Sequence, residues 1–199
     1  MTRSPWQRVL GAHMADLDPR LAAYFGPIAQ GFVGRGQGVF EVVGSRHRWL
    51  WPLFAVLAFD GIVFPVWEHN VPFTVTNRST PQGTVRATRV FSFSYGDEVM
   101  TDEIGVTRAG LTDRVGVRGL VSSTFTAAVV NGRLVLNSTG AVLRLGPIRI
   151  PLGMLAPRIS LVERSDGDRQ HVSFRMALPL IGTIYEYSGS FSYTVVNDA

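Results

Sequence analysis

Acid–base chemistry needs a carboxylate or an imidazole whose surroundings move its pKa toward neutrality. Three residues have the type and setting for it: Glu98, Asp102 and His69. Reading Gly96-Asp97 as a two-residue hairpin turn puts Phe91, Phe93, Tyr95, Glu98, Met100 and Asp102 on one face. Val90, Ser92, Ser94, Val99, Thr101 and Glu103 fall on the other. A carboxylate set against Phe91 and Phe93 loses hydration and rises toward general-acid values, whereas an arginine partner such as Arg89 or Arg114 keeps it ionised. His69 follows Glu68 where an apolar segment meets the first long strand, but successive strand residues point to opposite faces, so position alone does not pair them.

Other chemistries are closed off. The chain has no cysteine, which removes disulfides, thiolate metal sites and cysteine nucleophiles. All 19 basic residues are arginine, so a Schiff-base or P-loop lysine is impossible. His13, His47, His69 and His171 form no metal spacing, and neither G-x-S-x-G nor H-E-x-x-H occurs. No metal and no cofactor is expected. Gly34-Arg35-Gly36-Gln37-Gly38 does not fit G-x-G-x-x-G and opens no helix; it reads as a strand whose glycines allow bending or the close approach of another element. The net charge is +4, yet the arginines are scattered and no run has the density of a nucleic-acid arm, so no nucleic-acid partner is expected.

The elements that must position these groups are mostly strands. Ser4-Pro5 and Asp18-Pro19 are start signals for two short helices. The stretch from Trp49 to Phe59 is apolar but only eleven residues long, against the roughly 20 of a membrane span. It reads as a buried helix that fills or lids a sheet. Flanking Arg46 and Arg48, with Trp49, Trp51 and Trp67, also suit an interfacial anchor, so peripheral membrane contact is compatible with it. The start of the chain has no secretory apolar region, which points to the cytoplasm.

From Val71 onward hairpins follow one another. Asn131-Gly132 groups Phe125, Ala127, Val129, Leu134 and Leu136. Asp166-Gly167 groups Ile159, Leu161, Val172, Phe174 and Met176, and Glu163 interrupts that apolar face near the turn, where it can reach water. Nine or ten strands should curl into a barrel or split into a sandwich. The expected fold is therefore mainly β: one domain over 1–199, with a helical section and a Gly-rich strand in 1–67. An antiparallel meander over 68–199 follows, forming a large curled, barrel-like sheet.

Several local patterns are similar to a known bacterial family. They include Trp6-Gln7-Arg8-Val9-Leu10-Gly11, Asp18-Pro19-Arg20-Leu21 and Arg89-Val90-Phe91. Later come Asn131-Gly132-x-Leu134, Leu143-x-Leu145-Gly146-Pro147-Ile148, Leu155-Ala156-Pro157-Arg158, Leu178-Pro179-Leu180-x-Gly182 and Tyr187-x-Gly189. Together they resemble the domain of unknown function 4166 family over nearly the whole chain. The resemblance implies an association with oxidoreductase domains, and because no dinucleotide fingerprint is present, such a partner would be a separate protein. It carries no catalytic residues over.

Three functions fit these features. The first is binding of an apolar, lipid-like or polyketide-like molecule. Its lining would be Phe91, Phe93, Tyr95, Met100, Phe125, Phe174 and Met176, with Trp49, Trp51, Phe54 and Phe59 from the apolar helix and Arg89 for an anionic end. The second is a cofactor-free cyclase or isomerase in the same cavity, with Asp102, Glu98 or His69 as acid or base. The third is a domain that docks on an oxidoreductase and has no ligand of its own.

Overall fold

The fold comes from a computed structural model that describes residues 3–198. Three α-helices, α1 (Pro5–Leu10), α2 (Pro19–Tyr24) and α3 (Trp51–Ala58), accompany eleven strands. The strands are β1 (Phe32–Gly44), β2 (Trp67–Ser79), β3 (Val85–Phe93), β4 (Gly96–Thr107), β5 (Gly110–Val115) and β6 (Val121–Val130). They continue with β7 (Arg133–Leu145), β8 (Ile148–Pro151), β9 (Arg158–Asp166), β10 (Arg169–Leu178) and β11 (Gly182–Asn197). Every pairing is antiparallel, in the order β6-β5-β4-β3-β2-β1-β11-β10-β9-β7-β8, and β6 also pairs with β7. That last pairing closes a ten-stranded barrel, with β8 folded back on β7 as an extra strand. Closure removes the open edges that so long a sheet would otherwise expose.

Alternation along each strand sorts the walls. Val71, Phe73, Val75 and Asn77 of β2 are buried inside. Arg35 and Gln37 of β1, Thr74 and Arg78 of β2 and Arg164 of β9 lie on the opposite faces. Outward-facing Val39 and Val99, 41% and 45% exposed, are interspersed among these polar residues. No helix among the described residues is long and apolar enough to cross a membrane.

The β1 glycines serve close approach. A Cβ on Gly36 would meet Val75 Cγ1 at 2.7 Å, and one on Gly38 would lie 2.7 Å from Phe191 Cα. A Cβ on Gly34 would collide with the Tyr193 ring. These gaps admit Phe191 and Tyr193 from β11, and Tyr24 of α2 packs edge-on against both at 5.6 and 4.6 Å.

Each end of the barrel is capped. At one end, Ser4 and Gln7 form a capping box that starts α1, Asp18 caps α2, and the Asp18 N–H donates to Gly132 O at 3.0 Å. Trp6, Tyr24 and Phe25 point into the barrel from this side. At the other end, α3 and residues 60–66 form the lid. Asp60 pins it: its backbone carbonyl accepts from the Val117 N–H at 2.9 Å and its Oδ1 from the Arg118 N–H at 3.0 Å. The helix is a lid and not a filling, because aromatic side chains already occupy the space beneath it. Phe40 stacks on Phe73 at 3.8 Å, Phe64 meets Phe91 at 5.5 Å, and Phe54 is the one buried residue of α3.

Two hairpins are offset from the expected register. The β3–β4 turn is Ser94-Tyr95, with Phe93 opposite Gly96, and the β9–β10 turn is Gly167-Asp168, with Asp166 opposite Arg169. Both offsets move partners by an even number of residues, so the faces stay as expected. The Asn131-Gly132 turn falls where expected, with φ of 51° and 76° at its two residues, as a type I′ turn requires.

Candidate functional site

A cavity of about 110 Å³ runs between the two caps. Its walls are mostly apolar: Met100, Phe125, Leu161, Phe174 and Met176 from the strands, Ile62 and Val63 from beneath the lid, and Trp6 and Phe25 from the other cap. Phe174 lies flat on Tyr187, ring centres 4.6 Å apart.

Into this apolar space project one arginine and three carboxyl groups, Arg89, Asp102, Asp113 and Glu163. Strand parity puts them there. Asp102 shares the inward face of β4 with Met100 and Ile104, and Asp113 shares that of β5 with Leu111 and Val115. Glu163 shares that of β9 with Ile159 and Leu161. Arg89, Asp102 and Asp113 step diagonally across three adjacent strands, and β9 brings Glu163 from the opposing wall. Arg89 and Asp102 form an ion pair, and the Gln170 amide donates to Glu163.

Burial governs how these acids titrate. Asp102 and Asp113 behave as a coupled pair. Burial pushes Asp113 well above the carboxylate range, the Asp102 charge adds to this, and Arg89 opposes it. Burial also raises Asp102, against the charge and hydrogen bond of Arg89. One arginine thus offsets one carboxylate, and the second acid of the pair keeps its proton to higher pH than a free carboxylic acid. Burial pushes Glu163 up to about 7, although the Gln170 hydrogen bond and the Arg89 charge pull it down. Asp102 Oδ2, Asp113 Oδ1 and the Trp6 indole N–H are buried without a hydrogen-bond partner. Leaving such a group unsatisfied costs on the order of 1–3 kcal/mol. The arrangement can donate a hydrogen bond from a neutral acid, accept one at a carboxylate, and exchange a proton near neutral pH.

Glu163 carries a stability signature with a definite sign. Between its ordinary value of 4.5 and about 7 the unfolded chain ionises while the folded one does not. Stability therefore falls as pH rises through that window, by roughly 3 kcal/mol at most. Glu163→Gln keeps an acceptor for Gln170 and removes the penalty. Thermal melts should show the variant gaining on the parent above pH 7 and matching it near pH 4. Equal differences at both pH values would contradict a raised Glu163.

Of the side chains read from sequence as ligand contacts, Arg89, Met100, Phe125, Phe174 and Met176 line the cavity, and Asp102 joins them. Phe54, Phe91 and Phe93 are buried in the aromatic packing under the lid instead. Trp51 lies partly buried, its indole N–H donating to Ser45 O at 3.1 Å. Trp49, Phe59 and Tyr95 are exposed on the outside. Glu98 is half-buried near the Ser94-Tyr95 turn, and His69 sits on the outer surface with Nδ1 3.0 Å from Glu41 O; neither borders the cavity. Glu163 does not reach water near its turn: it is 6% exposed, because β9 faces the closed interior. Asp113 and Glu163 were the acids missed. Their signal was present as a charge on the apolar parity of Leu111-x-Asp113-x-Val115 and Ile159-x-Leu161-x-Glu163. Among the described residues no cluster of His, Asp and Glu could hold a metal ion.

No curated protein matches the sequence. A family model does, over residues 17–191, which takes in α2 and all the strands but the last residues of β11. The chain belongs to the family described as domain of unknown function DUF4166.

Proposed function

We propose that the barrel binds a small, largely apolar molecule that carries a hydroxyl or carbonyl oxygen. The observation behind this reading is the cavity itself, with apolar walls and unpartnered oxygens on Asp102 and Asp113. A ligand hydroxyl would donate to the carboxylate and a ligand carbonyl would accept from the neutral acid. At about 110 Å³ the space suits a short-chain molecule, and a ring fits once the flexible Met100 and Met176 side chains give way slightly. An apolar hole of roughly 150 Å³ accepts benzene, while drug-sized ligands occupy about 300–1,000 Å³. A long acyl chain or fused polyketide would have to displace the lid.

Cofactor-free isomerase or cyclase chemistry in the same cavity is the second reading. The placement of Glu163 across from the Asp102–Asp113 pair supports it, since a group poised near 7 can take a proton that the opposite wall returns.

The test is a thermal-shift series with cyclohexanone, phenol, cyclohexane and palmitate, followed by native mass spectrometry. Oxygenated rings should raise the melting temperature more than cyclohexane, and Phe174→Trp, which fills the cavity, should abolish the gain. No shift with any ring compound, and no ligand mass, would overturn the binding reading. A bound enolisable ketone whose α-deuterium exchange stops in Glu163→Gln would favour the catalytic one.

A further inference from the structure

The lid end of the barrel has a surface that the cavity does not explain. Strands alternate in direction, so α3 with its flanking residues 48–50 and 59, the Ser94-Tyr95 turn, the 116–120 loop, the β7–β8 hairpin, residues 152–157 between β8 and β9, and the β10–β11 turn all gather there. Among the described residues, every large hydrophobic side chain that is more than half exposed belongs to this group. Phe59 is 85% exposed and Met154 is 94% exposed.

The helix shows the anomaly most clearly. All eight residues of α3 are apolar, and only Phe54 is buried. A helix lying on the surface of a water-soluble domain ordinarily has a polar outer face, and one that is apolar all round sits in a core or in lipid. Here the outer face offers Leu53 and Val56, with Trp49 and Phe59 at either end. The β10–β11 turn repeats the pattern at a conformational cost. Leu180 is fully exposed and sits at φ 67°, a left-handed conformation that branched and bulky residues avoid. Nothing in the fold needs a leucine held outward there.

Charge decides what such a face would meet. Arg46, Arg48, Arg118 and Arg149 are exposed at the same end. Arg46 lies over the Trp67 ring at 4.7 Å and Arg48 over Trp51 at 4.9 Å, which keeps two guanidinium groups at the level of the indoles. The acidic groups at this end are engaged or set back from the rim: Asp60 is tied to Arg118, Glu186 lies 3.8 Å from Arg175, Glu68 accepts from Ser94, and Asp97 and Glu98 sit together below the Ser94-Tyr95 turn. Tryptophan, exposed aliphatic groups and arginine in one rim match the layered chemistry of an anionic bilayer surface, with headgroup phosphate above the acyl boundary. A partner protein's apolar face would have no use for Arg46, Arg48 and Arg149, which stand between the apolar side chains without an ion pair among the described residues.

We infer that the lid end docks peripherally on anionic membranes, with α3 and the β7–β8 hairpin entering the headgroup layer and the arginines contacting lipid phosphate. The strand walls stay outside, since their outer faces are mainly polar. The surface docks whether or not the cavity holds a ligand.

The test is co-sedimentation of the full chain with phosphatidylcholine vesicles and with vesicles containing about 30% phosphatidylglycerol. Binding to the anionic vesicles should be about ten-fold tighter or more, and salt should weaken it. Trp49→Ser with Phe59→Ser, and separately Arg48→Glu with Arg149→Glu, should each lower the affinity about ten-fold or more at an unchanged melting temperature. Val196→Ser, at the opposite end, should change nothing. Failure to bind either vesicle overturns the inference, as does binding that the Trp49 and Phe59 substitutions leave intact. A concentration-dependent dimer that those two substitutions dissociate, without vesicle binding, assigns the face to self-association and also overturns it.

Discussion

Replacing Arg89 with methionine is expected to cost about 3–5 kcal/mol of folding stability at pH 8, the loss typical of a buried pair stripped of one partner. Among the described residues Arg89 is the only cation facing the cavity, and Asp102 beside it is 2% exposed. Without the guanidinium, Asp102 must bury a bare charge or take up a proton. It will take the proton, so its folded pKa rises further while the unfolded value stays near the ordinary one. The loss should therefore grow as pH rises from about 4 to 8, because only the unfolded chain then ionises. Adding Asp102→Leu should restore most of the stability, since a well-packed apolar pair can replace a buried ion pair at little cost. Denaturant unfolding of the single and double variants at pH 5 and 8 measures this. An unchanged midpoint for Arg89→Met at pH 8 would mean that water reaches the pair and that burial does not govern its charge.

Gly38→Ala should be among the most damaging single methyl groups in the barrel. The added carbon would press on the Ser190 carbonyl and lie 2.7 Å from Phe191 Cα. Both are backbone atoms of β11, which pairs with β1 along almost its whole length. A flexible side chain could swing away; a ladder strand cannot. The expected loss is about 3 kcal/mol or more, at the upper end of overpacking effects. Gly140→Ala is the control, because an added Cβ there meets nothing within 4 Å. Equal denaturation midpoints for the two variants would show that β1 and β11 have slack that the close approach excludes.

Much of the wall was legible because strand parity is robust. The expected Gly96-Asp97 turn is in fact Ser94-Tyr95, yet Phe91, Met100 and Asp102 still share a face, since both offsets were even. The same holds for Ile159, Leu161, Phe174 and Met176 on β9 and β10. Phe91 also packs 5.4 Å from Phe40 of β1, across the intervening β2, a contact that no turn motif encodes. The fate of Glu163 was not legible. Its place on an apolar face is local, but its burial depends on β9 standing across a closed ring from β3. Ring closure also decided the position of α3. The space that an apolar helix might fill was already taken by Phe40, Phe64, Phe73 and Phe91, which left the helix outside as a lid.

The pairing of Phe32 with Asn197 joins the first strand of the chain to the last. On the ribosome, β1 through β10 must therefore wait, with one edge of β1 unpaired and the aromatic interior open, until β11 has been made. So late a seam gives a high contact order, which slows folding and prolongs the time during which exposed edges can aggregate. The final strand is the keystone of assembly: a chain stopped before Gly182 would lack one wall and would present two sticky margins to its neighbours.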